Sequence, residues 1–175
     1  MMKKIEPGFW VITLMVIAAA FVRLIPHPPN FAPIAAIALF GGAYYSKKSF
    51  AYLIPISAMF LTDLILGFHS TMWAVYLSFV LIVALGMIMI KKKNVKNVIL
   101  ASVVSSVLFF VLTNFAVWLS GIMYPLNIAG LGACFTAAIP FFQNTLIGDL
   151  VFTGAMFGIY ELAKVKFPQL AEVKA

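Results

Sequence analysis

Eleven of the twelve basic residues fall in four places between long apolar stretches, and that spacing dictates a membrane topology before any motif is read. Lys3 and Lys4 precede the first apolar stretch, and Lys47 and Lys48 follow the second. Lys91, Lys92, Lys93 and Lys96 follow the fourth, and Lys164, Lys166 and Lys174 follow the last. The gaps between carry no lysine. They hold Pro26-His27-Pro28-Pro29-Asn30, Phe68-His69-Ser70-Thr71, and a Gly-, Pro- and Asn-containing segment at 121–135. Lysine-rich loops stay cytoplasmic because translocating them is disfavoured. The alternation predicts basic gaps inside, Pro/His/Gly gaps outside, six spans, and N and C termini both cytoplasmic.

The chain is 64% hydrophobic and 10% charged, and apolar runs recur along its whole length. Runs of about 17–25 residues can cross a hydrocarbon core of roughly 30 Å. The expected architecture is an all-α membrane protein, a six-transmembrane-helix bundle forming one integral domain over residues 1–175. There is no room for a soluble ATPase, kinase or DNA-binding domain. A net charge of +7 would suggest nucleic acid in a soluble chain. Here the lysines sit where the positive-inside rule puts them, so the expected partner is the lipid bilayer and not nucleic acid. Residues 9–24 read as a span rather than a secretory signal peptide. A single cysteine, Cys134, excludes an internal disulfide and a multi-cysteine metal site, and reads as a small buried hydrophobe.

The expected spans are approximately 9–24, 34–45, 50–67, 72–90, 98–120 and 136–164. Outer loop 1, with four prolines over 25–33, cannot be regular helix. Span 2 is short, so it is either tilted or approached by extended chain entering the bilayer under cover of protein. Gly41-Gly42 within it permits close helix contact. Pro55 is a site for a kink in span 3. The segment 121–135 suits a cap lying over a bundle.

Charge inside a span is costly and marks function by default. Glu161, beside Lys164 near the cytoplasmic end, reads as a paired surface carboxylate. Arg23 stands at the outer end of span 1, Asp63 about one turn below the outer end of span 3, and Asp149 about 16 Å along span 6. Asn114 and Asn144 lie in the outer halves of spans 5 and 6, and Trp118 shares a helix face with Asn114 at i, i+4. Two readings compete. These residues are glue between helices, with Arg23 paired to one aspartate, or they line a polar pocket under the outer loops. Their concentration in one half of the membrane favours the pocket. His27 and His69, on two outer loops, are expected to face one cavity. They do not make a structural zinc site, which needs about four ligands. No Walker, GxSxG, HExxH or Rossmann motif is present, so an enzyme is the weakest reading. Active uptake would draw its energy from a partner or a gradient.

The stretch Arg23-Leu-Ile-Pro-His-Pro-Pro-Asn-Phe-Ala-Pro-Ile resembles an uncharacterised family of small bacterial membrane proteins. So do Leu39-Phe-Gly-Gly-Ala-Tyr, Thr62-Asp-Leu-Ile-Leu-Gly-Phe-His, Thr113-Asn-Phe-Ala-Val-Trp, Tyr124-Pro and Ala137-Ala-Ile-Pro-Phe-Phe-Gln-Asn-Thr-Leu-Ile-Gly-Asp-Leu. That family in turn looks like the S-components of energy-coupling-factor (ECF) transporters. The likeness implies six helices, cytoplasmic termini, and a micronutrient held near the outer face by outer loops 1, 3 and 5. It implies the bacterial cytoplasmic (inner) membrane as location, and the ECF transmembrane and ATPase subunits as partners. The nearest characterised look-alikes, solitary cobalamin transporters, have a loop-1 histidine and a span-3 aspartate, which His27 and Asp63 match, and a tyrosine shortly after, which Tyr76 matches. They bind cobalt through a cysteine near loop 3. This chain has His69 there instead, which makes His69 a candidate axial ligand to a metal in a bound macrocycle.

The expectation from sequence is a substrate-binding membrane protein for a vitamin or cobalamin-like micronutrient. Its candidate contacts are Arg23, His27, Asn30, Asp63, His69, Tyr76, Asn114, Trp118, Asn144 and Asp149. No intrinsic metal and no resident cofactor are expected. The alternative is a non-transporting structural or assembly subunit of a cell-envelope membrane complex, its polar residues serving only helix packing.

Overall fold

The computed structural model describes residues 6–171, all helix and connecting turns. Six α-helices follow in order: α1 Pro7–Val22, α2 Ile34–Tyr44, α3 Lys48–Leu66, α4 Met72–Met89, α5 Val95–Leu119 and α6 Ile128–Lys166. A short 3-10 helix, Pro168–Ala171, comes last. Four of these, α3 to α6, are long and apolar enough to cross a membrane, while α1 and α2 are shorter apolar helices. Their outward faces are apolar too: Ile88, Ile147 and Ile159 are 65%, 54% and 60% exposed. A surface of that kind is at home in lipid and a liability in water. The chain is a helical membrane protein.

The organising element is α2, which touches all five other helices. Around it α1 meets α3, α3 meets α4, α4 meets α5 and α5 meets α6. The 3-10 helix bridges α6 and α1, tied by the Tyr160 hydroxyl donating to the Leu170 carbonyl at 2.6 Å. A helix apolar on every face belongs inside, and Ala35 to Gly42 are all buried. Glycines set the distances. A Cβ on Gly42 would stand 2.2 Å from the Val83 carbonyl oxygen, and one on Gly86 2.6 Å from that of Leu39. The backbones of α2 and α4 thus touch, as small residues permit in membranes. A Cβ on Gly41 would lie 2.5 Å from Cγ of Pro55, which is buried inside α3 against α2.

The lysine gaps gather at one end. Lys93 and Lys164 stand over the Tyr44 ring at 5.0 and 5.6 Å, and Lys47 stands over Phe50, which packs edge-on to Phe9. Lys3, Lys4 and Lys174 lie outside the described residues. The Pro/His/Gly connections form the other end, called here the proline end. There the sequence expectation needs one revision. α6 starts at Ile128 rather than near 136, so most of the supposed cap is helix. The Asn127 side chain accepts from the Gly130 N–H at 2.8 Å, a helix-capping bond that fixes the start. Only 120–127 remains as connection, pinned by Trp118 Nε1 donating to the Pro125 carbonyl at 3.0 Å.

Loop 1 does not stay at the surface. Phe31 packs on Gly148 and lies 5.4 Å from the Phe152 ring, and Asn144 Nδ2 donates to the Pro29 carbonyl at 3.0 Å. Non-helical chain, made of turns and bends, therefore descends along α6 before α2 begins. Asn30 takes φ +63°, the left-handed conformation that asparagine tolerates better than most residues, and turns the chain inward.

Candidate binding site

Helices α1, α3 and α4 bring four polar side chains together at the proline end. Arg23, at the C-cap of α1, donates from Nη2 to Asp63 Oδ1 at 2.7 Å and from Nη1 to Thr62 Oγ1 at 2.5 Å. The Tyr76 hydroxyl on α4 donates to the other carboxylate oxygen, Oδ2, at 2.7 Å. The Thr62 hydroxyl in turn donates a hydrogen bond to the Met59 carbonyl at 2.8 Å. Asp63 is 1% exposed. A carboxylate so deeply buried is tolerated only with its charge matched and its oxygens hydrogen-bonded, and here both oxygens are used.

The network forms part of the wall of a cavity of about 220 Å³. Arg23, Asp63 and His69 line it, together with Met72, Val75 and Phe109. His69 is placed by the turn after α3, where Gly67 takes φ +93°, and its Nδ1 lies 3.1 Å from Thr71 Oγ1. The cavity is smaller than the roughly 300–1,000 Å³ of sites for drug-sized ligands. Among the described residues no three His, Cys, Asp or Glu side chains are grouped to hold a metal ion.

The other candidate residues stand apart from this cavity, each for a visible reason. His27 is exposed on loop 1 with Nδ1 2.9 Å from the Pro28 carbonyl, and it does not line the cavity. Of the two histidines, only His69 lines this cavity. Asn30 is spent on the turn described above. Asn114 donates to the carbonyl of Phe110 on its own helix at 2.8 Å and lines a separate cavity of about 170 Å³ beside Cys134. Trp118 is bonded to the 120–127 connection, and Asn144 to loop 1. The Cys134 thiol is buried and donates to the Asn114 carbonyl at 3.4 Å, so it is the packed hydrophobe the sequence suggested.

Asp149 does something else. Its Oδ2 accepts from the Ser106 hydroxyl at 2.6 Å, and the carboxylate lies against the backbone N–H of Ala35 in the first turn of α2. The N-cap of α2 is Pro33, which supplies no side-chain cap. The first turn of any helix has N–H groups without helical partners, and negative charge there is favourable. Asp149 supplies an acceptor oxygen from α6 to a helix start inside the bundle. Sequence reasoning missed Thr62 and Ser106, the hydroxyls that complete the two aspartate sites. Thr62 was visible only as the neighbour of Asp63, and nothing in the sequence pointed from Ser106 to Asp149.

A family model matches residues 3–170, nearly the whole chain. The chain belongs to DUF6580, a family of unknown function. No curated protein and no solved structure matches it. Membership in DUF6580 assigns neither ligand nor partner, so the chemistry of this family member rests on its own side chains.

Proposed function

We propose that this DUF6580 protein is a substrate-binding component for uptake of a small micronutrient, of the ECF S-component type, with six spans, both termini cytoplasmic and the proline end facing outward. The observation that carries this reading is the cavity bounded by the Arg23–Asp63 pair and His69. A buried ion pair is a costly way to hold helices together, since apolar packing does so equally well. Beside a cavity it has another use: Asp63 holds a guanidinium in place for a ligand. Arginine has five N–H donors and no acceptor, so the ligand class is a small molecule bearing carboxylate or carbonyl acceptors. Loop 1, lying between α6 and the start of α2, is the segment that would move to admit it.

The first test is native mass spectrometry of the protein purified in mild detergent. The expected result is a co-purifying small molecule, retained by the parent protein and about tenfold less by His69→Ala, a loss of one hydrogen-bonding contact. Retention unchanged in both His69→Ala and Tyr76→Phe would move the ligand elsewhere.

A second reading, a packing subunit of an envelope complex, is favoured by Asp149 and Asn144, which spend their hydrogen bonds within the bundle. It predicts no bound small molecule at all.

Orientation has its own test. Single cysteines at Pro28 and Asn127, in a Cys134→Ser background, should react with an impermeant maleimide in intact cells, and one at Asn94 should not. Labelling confined to Asn94 would invert the topology.

A further inference from the structure

At the lysine end a groove of about 450 Å³ lies between α5 and α6. Val98 and Ile99 wall one side, Leu150 and Phe157 the other. Gly154 and Gly158 keep it open, since a Cβ added to either would meet no heavy atom within 4 Å. Both glycines are exposed, so the groove faces the surroundings of the bundle rather than its core.

The charged residues lining it, Lys93 and Glu161, are not equivalent. Glu161 is occupied: Lys164 Nζ pairs with it at 2.7 Å, and the Tyr44 hydroxyl donates to its other oxygen. Among the described residues Lys93 has no carboxylate within ion-pairing distance, and its ammonium stands over the Tyr44 ring at 5.0 Å. Partial burial, with Lys164 adding to it and Glu161 opposing, holds its pKa below the ordinary lysine value. The ammonium has no paired anion among the described residues, and Lys91, Lys92 and Lys96, exposed as Lys93 itself is, make its surroundings more positive.

We propose that this groove binds one anionic phospholipid, its phosphodiester on Lys93 and one acyl chain along Gly154 and Gly158. Basic pockets between transmembrane helices recognise anionic headgroups in this manner. A docked apolar helix would fill the slot but leave Lys93 cationic against it, whereas a phospholipid satisfies both. The inference depends neither on the transport reading nor on which membrane face carries the lysines.

The test uses the full chain, purified in mild detergent and delipidated. Native mass spectrometry would follow titration with phosphatidylglycerol and with phosphatidylcholine of the same acyl chains. One phosphatidylglycerol per chain should bind about fivefold more tightly than phosphatidylcholine, the worth of one lysine near a membrane surface. Lys93→Ala should remove the preference and Lys93→Arg should keep it. Gly158→Leu, which has room for its side chain and favours helix, should weaken binding of both lipids. Millimolar glycerol phosphate should fail to displace the lipid. Equal binding of the two lipids by the parent protein would overturn the proposal. So would full displacement by glycerol phosphate, or a lipid-free dimer that Gly158→Leu dissociates.

Discussion

Replacing Arg23 with leucine should cost about 3–5 kcal/mol of stability, and adding Asp63→Leu to the same chain should restore most of it. The single change strips the buried Asp63 carboxylate of its ion-pair partner and leaves only the Tyr76 hydroxyl bonded to it. The double change replaces both charges with apolar groups of similar bulk, and buried pairs treated so are often neutral or even stabilising. Thermal unfolding of detergent-solubilised protein, followed by size-exclusion chromatography of heated samples, measures both. If the double variant is stable yet retains no small molecule, the pair exists for binding. A double variant as unstable as Arg23→Leu would show that the pair's geometry, beyond its charge balance, holds α1 to α3.

Asp149→Leu should also be damaging, at about 1–3 kcal/mol for a buried donor left without its acceptor. That donor is the Ala35 N–H at the start of α2, whereas the Ser106 hydroxyl keeps the Ser102 carbonyl, 3.0 Å away, as a second acceptor. Asp149→Asn keeps an acceptor oxygen and should cost clearly less. Ser106→Ala alone should cost about 1 kcal/mol, and its effect should shrink in the Asp149→Leu background because the bond is already gone. Melting temperatures of the four proteins form a double-mutant cycle. An Asp149→Leu chain that melts with the parent would remove Asp149 from the support of α2.

The apolar runs made the helices legible. Spans expected at 72–90 and 34–45 appear as Met72–Met89 and Ile34–Tyr44. Gly41-Gly42 suggested the close helix contact that α2 makes, while the short second span left open a tilt or an extended approach, and the chain that descends along α6 is instead a run of turns and bends. What the sequence could not supply is helix rotation. Asp63 and Asp149 look alike in a one-dimensional reading, each a carboxylate within an apolar helix. One meets Arg23 across α1 and α3 and borders a cavity; the other meets the blunt start of α2. Rotation is set by which glycines let backbones approach and which side chains interdigitate, a property of the assembled bundle. Asn114 misleads for the same reason, since an asparagine within a helix can satisfy its amide on the preceding turn. The early start of α6 had a local signal that was overlooked: Asn127 opens a helix as asparagine commonly does, three residues before Gly130.

The dependence of α2 on Asp149 also bears on how the protein is made. Eleven residues are too few to cross the hydrocarbon core alone, and the start of α2 leaves the ribosome long before the carboxylate that completes it. Until α6 emerges, α2 has no stable resting place in lipid, because the unpartnered N–H groups of its first turn are expensive there. The central helix of the finished bundle is thus among the last to settle, and nascent chains cut short before Asp149 should be ones that the cell's quality control removes.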